Sequence, residues 1–308
     1  RLDQPAHRVH PGAPVVTTYG YVGLGEMGSA IVDRLVDCDE SVVVYDLDQE
    51  RTDTAVGKGA VGAASAAEVA ELADVVGICV PADRHVEAVI SGPGGLAKTA
   101  KAGQVVLVHS TVLPSTVRDA RATVEEWGGF LHDACVAGGV DAARRGEMVL
   151  LVGALTDVPE PAARLLHLLG DRLLDAGPVG AGAALKVGVN VMSYAQFSAA
   201  AAAFDLVERN GADSDTLLEA WRHIGQLGRL TESYVSLLSL PDDVVAGSMR
   251  AYLAATAEIA QKDLDLAAEL AHSGSGLHGV ITALGEAVPE VFRVGESTSQ
   301  DDKGGPGG

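Results

Sequence analysis

Short apolar runs alternate with amphipathic stretches over the first half of the chain, from Val15 to about Gly177. Apolar runs of this length, bounded by glycine and polar positions, are typical of strands buried in a parallel sheet. Strands that alternate with helical patterns predict a doubly wound α/β sheet. The predicted strands are Val42 to Tyr45, Val75 to Val80, Val105 to His109, Phe130 to Cys135 and Met148 to Val152.

The pattern changes after Gly180, where strand signals end and long helical stretches begin. The first of these would span roughly 40 Å at about 1.5 Å per residue. The predicted helices are Ala183 to Asn210, Ser214 to Ile224, Leu227 to Leu240, Ala251 to Ala271 and Leu277 to Val288. We therefore expect a flexible N-terminus (1–16), an α/β domain (17–178), an all-α domain with a long interdomain helix (179–294) and a disordered tail (295–308).

Composition excludes several classes of protein. The formal charge of −20, with no run of Lys or Arg, argues against nucleic-acid and anionic-membrane partners, so we expect a small-molecule substrate. The three cysteines lack CxxC spacing, which predicts no metal site and no disulfide framework. The apolar stretch Leu185 to Val207 is interrupted by polar residues, so no membrane span is predicted. Residues 1–14 lack the apolar core of a signal peptide, which favours a cytoplasmic protein.

Three glycines with GxGxxG spacing follow the first apolar run of the α/β region. In a Rossmann-type domain the first permits a tight turn, the second lets the backbone approach a pyrophosphate, and the third lets the next helix pack closely. The pyrophosphate then lies at a helix N-terminus, where free N–H groups favour an anion. This loop therefore predicts a dinucleotide site, with a purely structural turn as the alternative. Its residues are Gly23, Leu24, Gly25, Glu26, Met27 and Gly28.

Asp46 indicates which dinucleotide binds. It ends the second predicted strand, 21 residues after Gly25. A carboxylate there can accept hydrogen bonds from ribose hydroxyls but repels a 2′-phosphate, so NAD is favoured over NADP. The cation Arg51 lies five residues further on, and we interpret it as a solvated residue of the following helix.

Lys186 and Asn190 are four residues apart near the start of the long predicted helix, and therefore share one face of it. A lysine in a mostly apolar helix is costly to bury, and a desolvated lysine suits general acid/base chemistry near neutral pH. The alternative is a lysine whose ammonium group extends to solvent. Asn190 could orient the lysine or hold a substrate.

Four motifs in order resemble the β-hydroxyacid dehydrogenase family, which includes 3-hydroxyisobutyrate dehydrogenase and tartronate semialdehyde reductase. They are GLGxMG at 23–28, Asp-Ala-Cys-Val-Ala-Gly-Gly at 133–139, Gly-x-Gly-x-x-x-Lys at 180–186 and Lys262-Asp263-Leu264. The resemblance covers about residues 19–291. It implies an NAD-dependent oxidoreductase that interconverts a 3-hydroxy acid, or a related alcohol, with its aldehyde or ketone.

The resemblance also implies a role for each motif. Lys186 would exchange the alcohol proton, with Asn190 beside it in the substrate site. Backbone N–H groups at Gly138 and Gly139, after Ala137, would bind the substrate carboxylate, since consecutive amides in a turn form an anion-binding concavity. The remaining implied cofactor contacts are Val80, Pro81, Thr111 and Lys262, the last with a plain surface ion pair to Asp263 as its alternative.

Three departures from the family pattern bear on the activity. Ala137 replaces the usual serine, so a hydroxyl that would hold a carboxylate is missing, and Cys135 replaces a proline. Val189 stands where relatives commonly carry another asparagine, or the histidine of 6-phosphogluconate dehydrogenase, which disfavours sugar-phosphate decarboxylation. An imine reductase-like NAD(P)H enzyme and a non-catalytic NAD-binding sensor are the alternative functions.

Small residues on the long helix permit close helix packing, either between domains or between subunits. They are Ala195, Ala199, Ala200 and Ala203. With the family resemblance, they lead us to expect a homodimer or homotetramer.

Overall fold

A computed structural model describes residues 17–247 and 249–295 of the chain. The predicted flexible N-terminus (1–16) and, apart from Gly295, the predicted tail (295–308) lie outside the described residues. The chain divides into two compact units, Arg1–Ala184 and Leu185–Gly308. The division falls within the long helix.

The first unit alternates strands and helices. Its strands are β1 (Thr18–Val22), β2 (Ser41–Tyr45), β3 (Val61–Gly62), β4 (Val75–Ile78), β5 (Val105–Val108), β6 (Phe130–Ala137), β7 (Met148–Gly153) and β8 (Gly170–Gly177). Its helices are α1 (Glu26–Asp37), α2 (Gln49–Gly57), α3 (Ala66–Leu72), α4 (Asp83–Ser91), α5 (Pro114–Glu126), α6 (Gly139–Arg145) and α7 (Glu160–Leu169).

The strands form one sheet in the order β3-β2-β1-β4-β5-β6-β7-β8. Neighbouring strands are parallel except for β6 and β7, which pair antiparallel, while β8 is parallel to β7. The doubly wound α/β prediction is confirmed. The direction of β7 was not predicted, because hydrophobic pattern carries no information on strand orientation.

Two strands escaped sequence prediction for physical reasons. β3 is two residues long and both are exposed. β8 (GDRLLDAG) carries charged and exposed positions on both faces, since it lies at the edge of the sheet. Neither strand shows the apolar run or the alternation by which a strand is recognised.

Apolar side chains cover both faces of the sheet. One cluster packs α1 and α7 against residues such as Tyr21, Leu107 and Leu150, and the other packs α3, α4 and α5 on the opposite face. The strands are therefore buried on both sides, as expected for a mostly parallel sheet.

The second unit is helical and includes all but the first four residues of α8 (Ala181–Arg209). The other helices are α9 (Ser214–Ile224), α10 (Arg229–Leu238), α11 (Asp242–Ala246), α12 (Arg250–Leu270) and α13 (Gly276–Val291). Its core contains Phe197, Tyr234 and Phe292. The five-residue helix α11 was not predicted, because it is too short to show a period. Across residues 17–247 and 249–295, the helices fall short of the length and apolar character that membrane crossing requires.

Candidate active site

The carboxyl edge of the sheet gathers most of the predicted cofactor residues. The strand order reverses between β1 and β4, and ligands of doubly wound sheets bind at such a point, beyond the carboxyl ends of the strands. The loops after β1, β2, β4, β5 and β6 lie at this edge because these strands are parallel. They carry Gly23–Gly28, Asp46, Val80–Pro81, Thr111 and Ala137–Gly139.

The three glycines of the β1–α1 loop are required for different reasons. Gly23 has a φ of +95°, and a Cβ there would lie 2.3 Å from the Cys79 carbonyl oxygen. A Cβ at Gly28 would lie 2.0 Å from the carbonyl oxygen of Gly23. At Gly25 a Cβ would meet no protein atom within 4 Å. Protein packing thus explains Gly23 and Gly28, whereas Gly25 keeps open a space that a pyrophosphate fits.

Helix α1 begins beside that open space. Its N-cap is Gly25, which makes no side-chain cap hydrogen bond, and Glu26 and Met27 form the start of its first turn. The first N–H groups of a helix lack partners within the helix and carry partial positive charge. The N-terminal end of α1 therefore suits the binding of the NAD pyrophosphate.

Asp46 joins the tip of β2 to the glycine loop. Its Oδ2 accepts from the Leu24 N–H (2.6 Å) and its Oδ1 from the Asp48 N–H (2.8 Å). An ionised carboxylate has about four lone-pair sites, so it can still accept ribose hydroxyls. Arg51 Nη1 lies 3.8 Å from Asp46 Oδ2, and half of the Arg51 side chain is exposed. Arg51 is thus an exposed residue of α2, as interpreted from the sequence, and it also lies next to the predicted ribose site.

The loops after β4 and β5 are tied together. The Val80 N–H donates to Ser110 Oγ (2.8 Å), which fixes the turn that carries Pro81 beside the one that carries Thr111. Ser110 escaped notice because a serine after a strand has no distinctive pattern.

The predicted substrate loop begins at the C-terminal end of β6. Gly138 and Gly139 have φ values of +134° and +80°, which a residue with a side chain rarely adopts. Ala137 is half-buried, both glycines are exposed, and Cys135 is fully buried with its Sγ 3.7 Å from the Ser110 carbonyl oxygen. The loop presents backbone groups, and Ala137 adds no hydroxyl to them.

Asp133 anchors the start of α8, a role that was not predicted from the sequence. It is fully buried in β6, where its Oδ1 accepts from the Gly180 N–H (2.9 Å) and its Oδ2 from the Ala183 N–H (2.8 Å). A Cβ at Gly153 would lie 2.0 Å from Asp133 Oδ1. The carboxylate therefore holds the first turn of α8 to the sheet. In the sequence, this role could have been inferred from the presence of an ionisable residue within a predicted buried strand.

In the helical unit, Lys186, Asn190 and Tyr194 lie at successive turns of α8 and so share one face. Lys186 is half-buried. Asp263 of α12, only 2% exposed, accepts at Oδ2 from Asn190 Nδ2 (2.6 Å) and from the Tyr194 hydroxyl (3.0 Å). Tyr194 was missed by sequence reasoning, since its partner is distant in the chain.

Lys262 completes this group, with its Nζ 2.7 Å from Asp263 Oδ1. Because Asp263 is buried and the Lys262 side chain is 27% exposed, the pair is not the plain surface ion pair considered as the alternative. We refer to Asn190, Tyr194, Lys262 and Asp263 as the α8–α12 polar cluster. It unites three helical-unit residues of the predicted site motifs and adds Tyr194.

His109 is buried directly after β5, at the carboxyl edge of the sheet that carries the predicted cofactor residues, which we call the cofactor edge. Its Nδ1 donates to the Ala134 carbonyl (2.7 Å), so Nε2 accepts from the Tyr21 hydroxyl (3.2 Å), and the two rings stack. Burial lowers the pKa of His109 to about 4, although the bond to Ala134 opposes the shift. A neutral imidazole with a hydrogen bond at each ring nitrogen has a structural role. Among the described residues no three His, Cys, Asp or Glu side chains are grouped to hold a metal.

Residues 18–177 match the family described as the NAD binding domain of 6-phosphogluconate dehydrogenase. The chain is 35% identical over 269 residues to an uncharacterized oxidoreductase of Mycobacterium tuberculosis, covering 85% of this chain and 87% of the relative. It is 30% identical over 275 residues to the NAD-dependent L-serine dehydrogenase of Pseudomonas aeruginosa, covering 89% and 90%. A crystal structure of 3-hydroxyisobutyrate dehydrogenase from Salmonella typhimurium shares the fold, with a TM-score of 0.75 at 24% identity, covering 91% and 100%.

The family match covers the unit that carries the glycine loop and Asp46, and the two relatives extend the similarity through the helical unit. The chain therefore belongs to the β-hydroxyacid dehydrogenase family, as an oxidoreductase with an NAD-binding domain.

Proposed function

We propose that this protein catalyses the reversible NAD-dependent oxidation of a short 3-hydroxy acid, with Lys186 as the general base. The observation that carries the proposal is the placement of Lys186 one turn before Asn190, whose amide is held by the buried Asp263. A lysine next to a fixed polar partner, in a helix of mostly apolar residues, suits proton transfer to or from an alcohol.

The proposed chemistry divides between cofactor and protein. NAD, when bound, supplies the acceptor for the hydride that leaves the alcohol carbon. Lys186, in its neutral form, takes the hydroxyl proton, and in the reverse direction its ammonium group returns that proton to the carbonyl oxygen. The protein places the alcohol and supplies the proton acceptor.

Residues of the α/β unit would hold NAD. The open space at Gly25 and the first turn of α1 suit the pyrophosphate, and Asp46 suits the ribose hydroxyls. Val80, Pro81 and Thr111 are on neighbouring loops of the same sheet edge and would line the rest of the cofactor. Lys262 is proposed as a further cofactor contact, on the family resemblance alone.

The substrate class follows from the loop after β6 and from one relative. Positive-φ glycines at 138 and 139 can present N–H groups to a carboxylate, as consecutive amides do in anion-binding turns. The Pseudomonas relative is named for L-serine, which is a 3-hydroxy acid. Because Ala137 offers no hydroxyl, we propose that backbone groups alone hold the substrate carboxylate. The missing hydroxyl also leaves space for a substrate that is larger than L-serine.

The test is NAD reduction, followed by absorbance at alkaline pH, across short 3-hydroxy acids, sulfonate analogues and simple alcohols. Lys186→Ala should lower kcat by about 10²-fold or more while NAD affinity is kept, and exposed Lys98→Ala serves as the control. Turnover that survives in Lys186→Ala contradicts the proposed base. NAD binding without turnover of any compound favours the sensor instead.

We also propose that the protein is a homodimer or homotetramer. Large apolar side chains on α8 are exposed within the described chain, among them Leu185, Val189, Met192 and Leu206. Contiguous exposed apolar residues are typical of protein interfaces. Light scattering coupled to size-exclusion chromatography measures the mass, and a monomer of 31.5 kDa contradicts the proposal.

A further inference from the structure

Asp263 determines which end of the Asn190 amide is free. A carboxylate can only accept hydrogen bonds, so Asn190 must turn its NH₂ group toward Asp263, as observed at 2.6 Å. The carbonyl oxygen Oδ1 then belongs to the side of the amide that faces away from the carboxylate. Asn190 consequently offers an acceptor, which suits a substrate hydroxyl or a lysine ammonium group.

The Tyr194 hydroxyl donates to the same carboxylate oxygen, Asp263 Oδ2, at 3.0 Å. Its ring meets Phe197 and Phe292 edge-on, with centroids 6.2 and 6.5 Å apart. Burial, reinforced by the charge of Asp263, raises the pKa of Tyr194 well above its ordinary value of 10. The hydroxyl therefore stays protonated and is a fixed donor, held in position by the aromatic core of the helical unit.

Hydrogen bonds hold the carboxylate through one of its oxygens. Asn190 and Tyr194 both donate to Oδ2, whereas Oδ1 has the Lys262 ammonium as an ion-pair neighbour at 2.7 Å and accepts no hydrogen bond among the described residues. Without the tyrosine hydroxyl, a buried carboxylate would be free to turn toward Lys262, because Oδ2 would keep one donor instead of two. Rotation of the carboxylate would release the Asn190 amide.

We propose that Tyr194 is a positioning residue, which acts through Asp263 to hold the Asn190 amide with its carbonyl oxygen toward the reacting alcohol. The part of this inference that concerns turnover rests on the proposed function. The part that concerns the Asn190 amide does not, and it can be measured without substrate.

The chain offers a direct measurement, because Asn190 and Asn210 are its only asparagines. Selective ¹⁵N-asparagine labelling of the full chain gives two side-chain NH₂ groups in an NMR spectrum, each with a pair of hydrogen signals, and Asn190→Ala assigns the pairs. Asn210 is an exposed residue whose Nδ2 donates to the Leu206 carbonyl (2.7 Å), so it serves as an internal reference.

Tyr194→Phe removes one hydroxyl and keeps the ring. We expect the Asn190 amide signal to shift and its hydrogens to exchange with water about tenfold faster, while the Asn210 signal is unchanged. The matched control is Tyr234→Phe in the same aromatic core, since the Tyr234 hydroxyl donates to the Val291 carbonyl (2.7 Å) and not to Asp263. An Asn190 signal that is the same in wild type and Tyr194→Phe overturns the proposal.

Kinetics provide the second readout. Tyr194→Phe should lower kcat about tenfold with KM within about twofold, whereas Tyr234→Phe should lower the melting temperature without changing kcat. In an Asn190→Ala background, Tyr194→Phe should cause no further loss, because the tyrosine acts through that asparagine. An additive loss overturns the inference. If the wild type turns over no alcohol, the proposed function fails, and the NMR measurement still decides the role of Tyr194.

Discussion

The cofactor edge of the α/β unit and the α8–α12 polar cluster are built from different parts of the polypeptide. The cofactor edge presents mainly backbone: a helix N-terminus, positive-φ glycines and loops that follow parallel strands. The α8–α12 polar cluster consists of side chains around one buried carboxylate. A backbone site depends on where side chains are absent, whereas the cluster depends on every partner being present. The two regions should therefore respond differently to substitution.

The largest effect is expected at Gly28. Gly28→Ala places a methyl group 2.0 Å from a backbone oxygen, and should lower the free energy of unfolding by about 4 kcal/mol or more. Gly25→Ala is the matched variant, since its φ of −63° suits alanine and its Cβ meets no protein atom within 4 Å. It should change the unfolding free energy by less than about 1 kcal/mol yet weaken NAD binding. Chemical denaturation and NAD titration measure both; tight NAD binding by Gly25→Ala would refute the pyrophosphate assignment.

Asp263→Ala tests the α8–α12 polar cluster. It removes the acceptor of Asn190 and Tyr194 and the anion paired with Lys262, so the unfolding free energy should fall by about 3–4 kcal/mol. The control is Asp265→Ala on the same helix, where the carboxylate accepts from Gln261 at an exposed position (2.9 Å). Urea denaturation measures the free energy of unfolding of both variants. If it falls equally in the two, the buried α8–α12 polar cluster adds no stability beyond that of an exposed carboxylate.

The loss of folding stability at acid pH should depend largely on the buried His109. The pKa of His109 is about 4 in the folded chain and about 6.5 when unfolded. Between these values the unfolded state binds more protons, so stability falls as the pH drops from 6.5 to 4, by up to about 3 kcal/mol. Above pH 6.5 the group contributes no pH dependence.

His109→Gln should therefore flatten this part of the pH dependence, measured as melting temperature from pH 4 to 7.5. The exposed His223→Gln is the control and should keep the wild-type slope. An unchanged slope in His109→Gln would assign the acid sensitivity to other groups.

Asp46→Asn sharpens the cofactor prediction. Loss of the carboxylate charge, with Arg51 retained beside it, should shift the ratio of NAD to NADP affinity about tenfold toward NADP, because a cation accommodates a 2′-phosphate. Adding Arg51→Ala should reverse most of that gain. Fluorescence titration with both reduced cofactors gives the ratios, and an unaltered ratio would count against Asp46 as the discriminating residue.

The smallest effect concerns the substrate loop. Ala137→Ser restores a hydroxyl at the end of β6 and should lower KM for short 3-hydroxy acids about threefold, with kcat and NAD affinity unchanged. A KM that stays the same or rises would indicate that the carboxylate does not bind at this loop.

The cofactor edge could be predicted from the sequence more fully than the α8–α12 polar cluster. Residues 23–28 could be predicted as a cofactor loop because a backbone site requires glycine at set spacings along a continuous stretch, and Asp46 because it ends the next predicted strand. Lys186 and Asn190 could be predicted to lie together because a helix brings residues four apart onto one face. Tyr194 and Asp133 received no role, since each acts on a partner tens of residues away.

Local periodicity in the sequence by itself determined the alternation of strands and helices, the change to an all-α region and the dinucleotide loop, because each depends on neighbouring residues. Tertiary structure alone decided the antiparallel direction of β7, the burial of Asp263 and the orientation of the Asn190 amide. These depend on long-range pairing, in which desolvation and hydrogen bonding between distant segments select one arrangement.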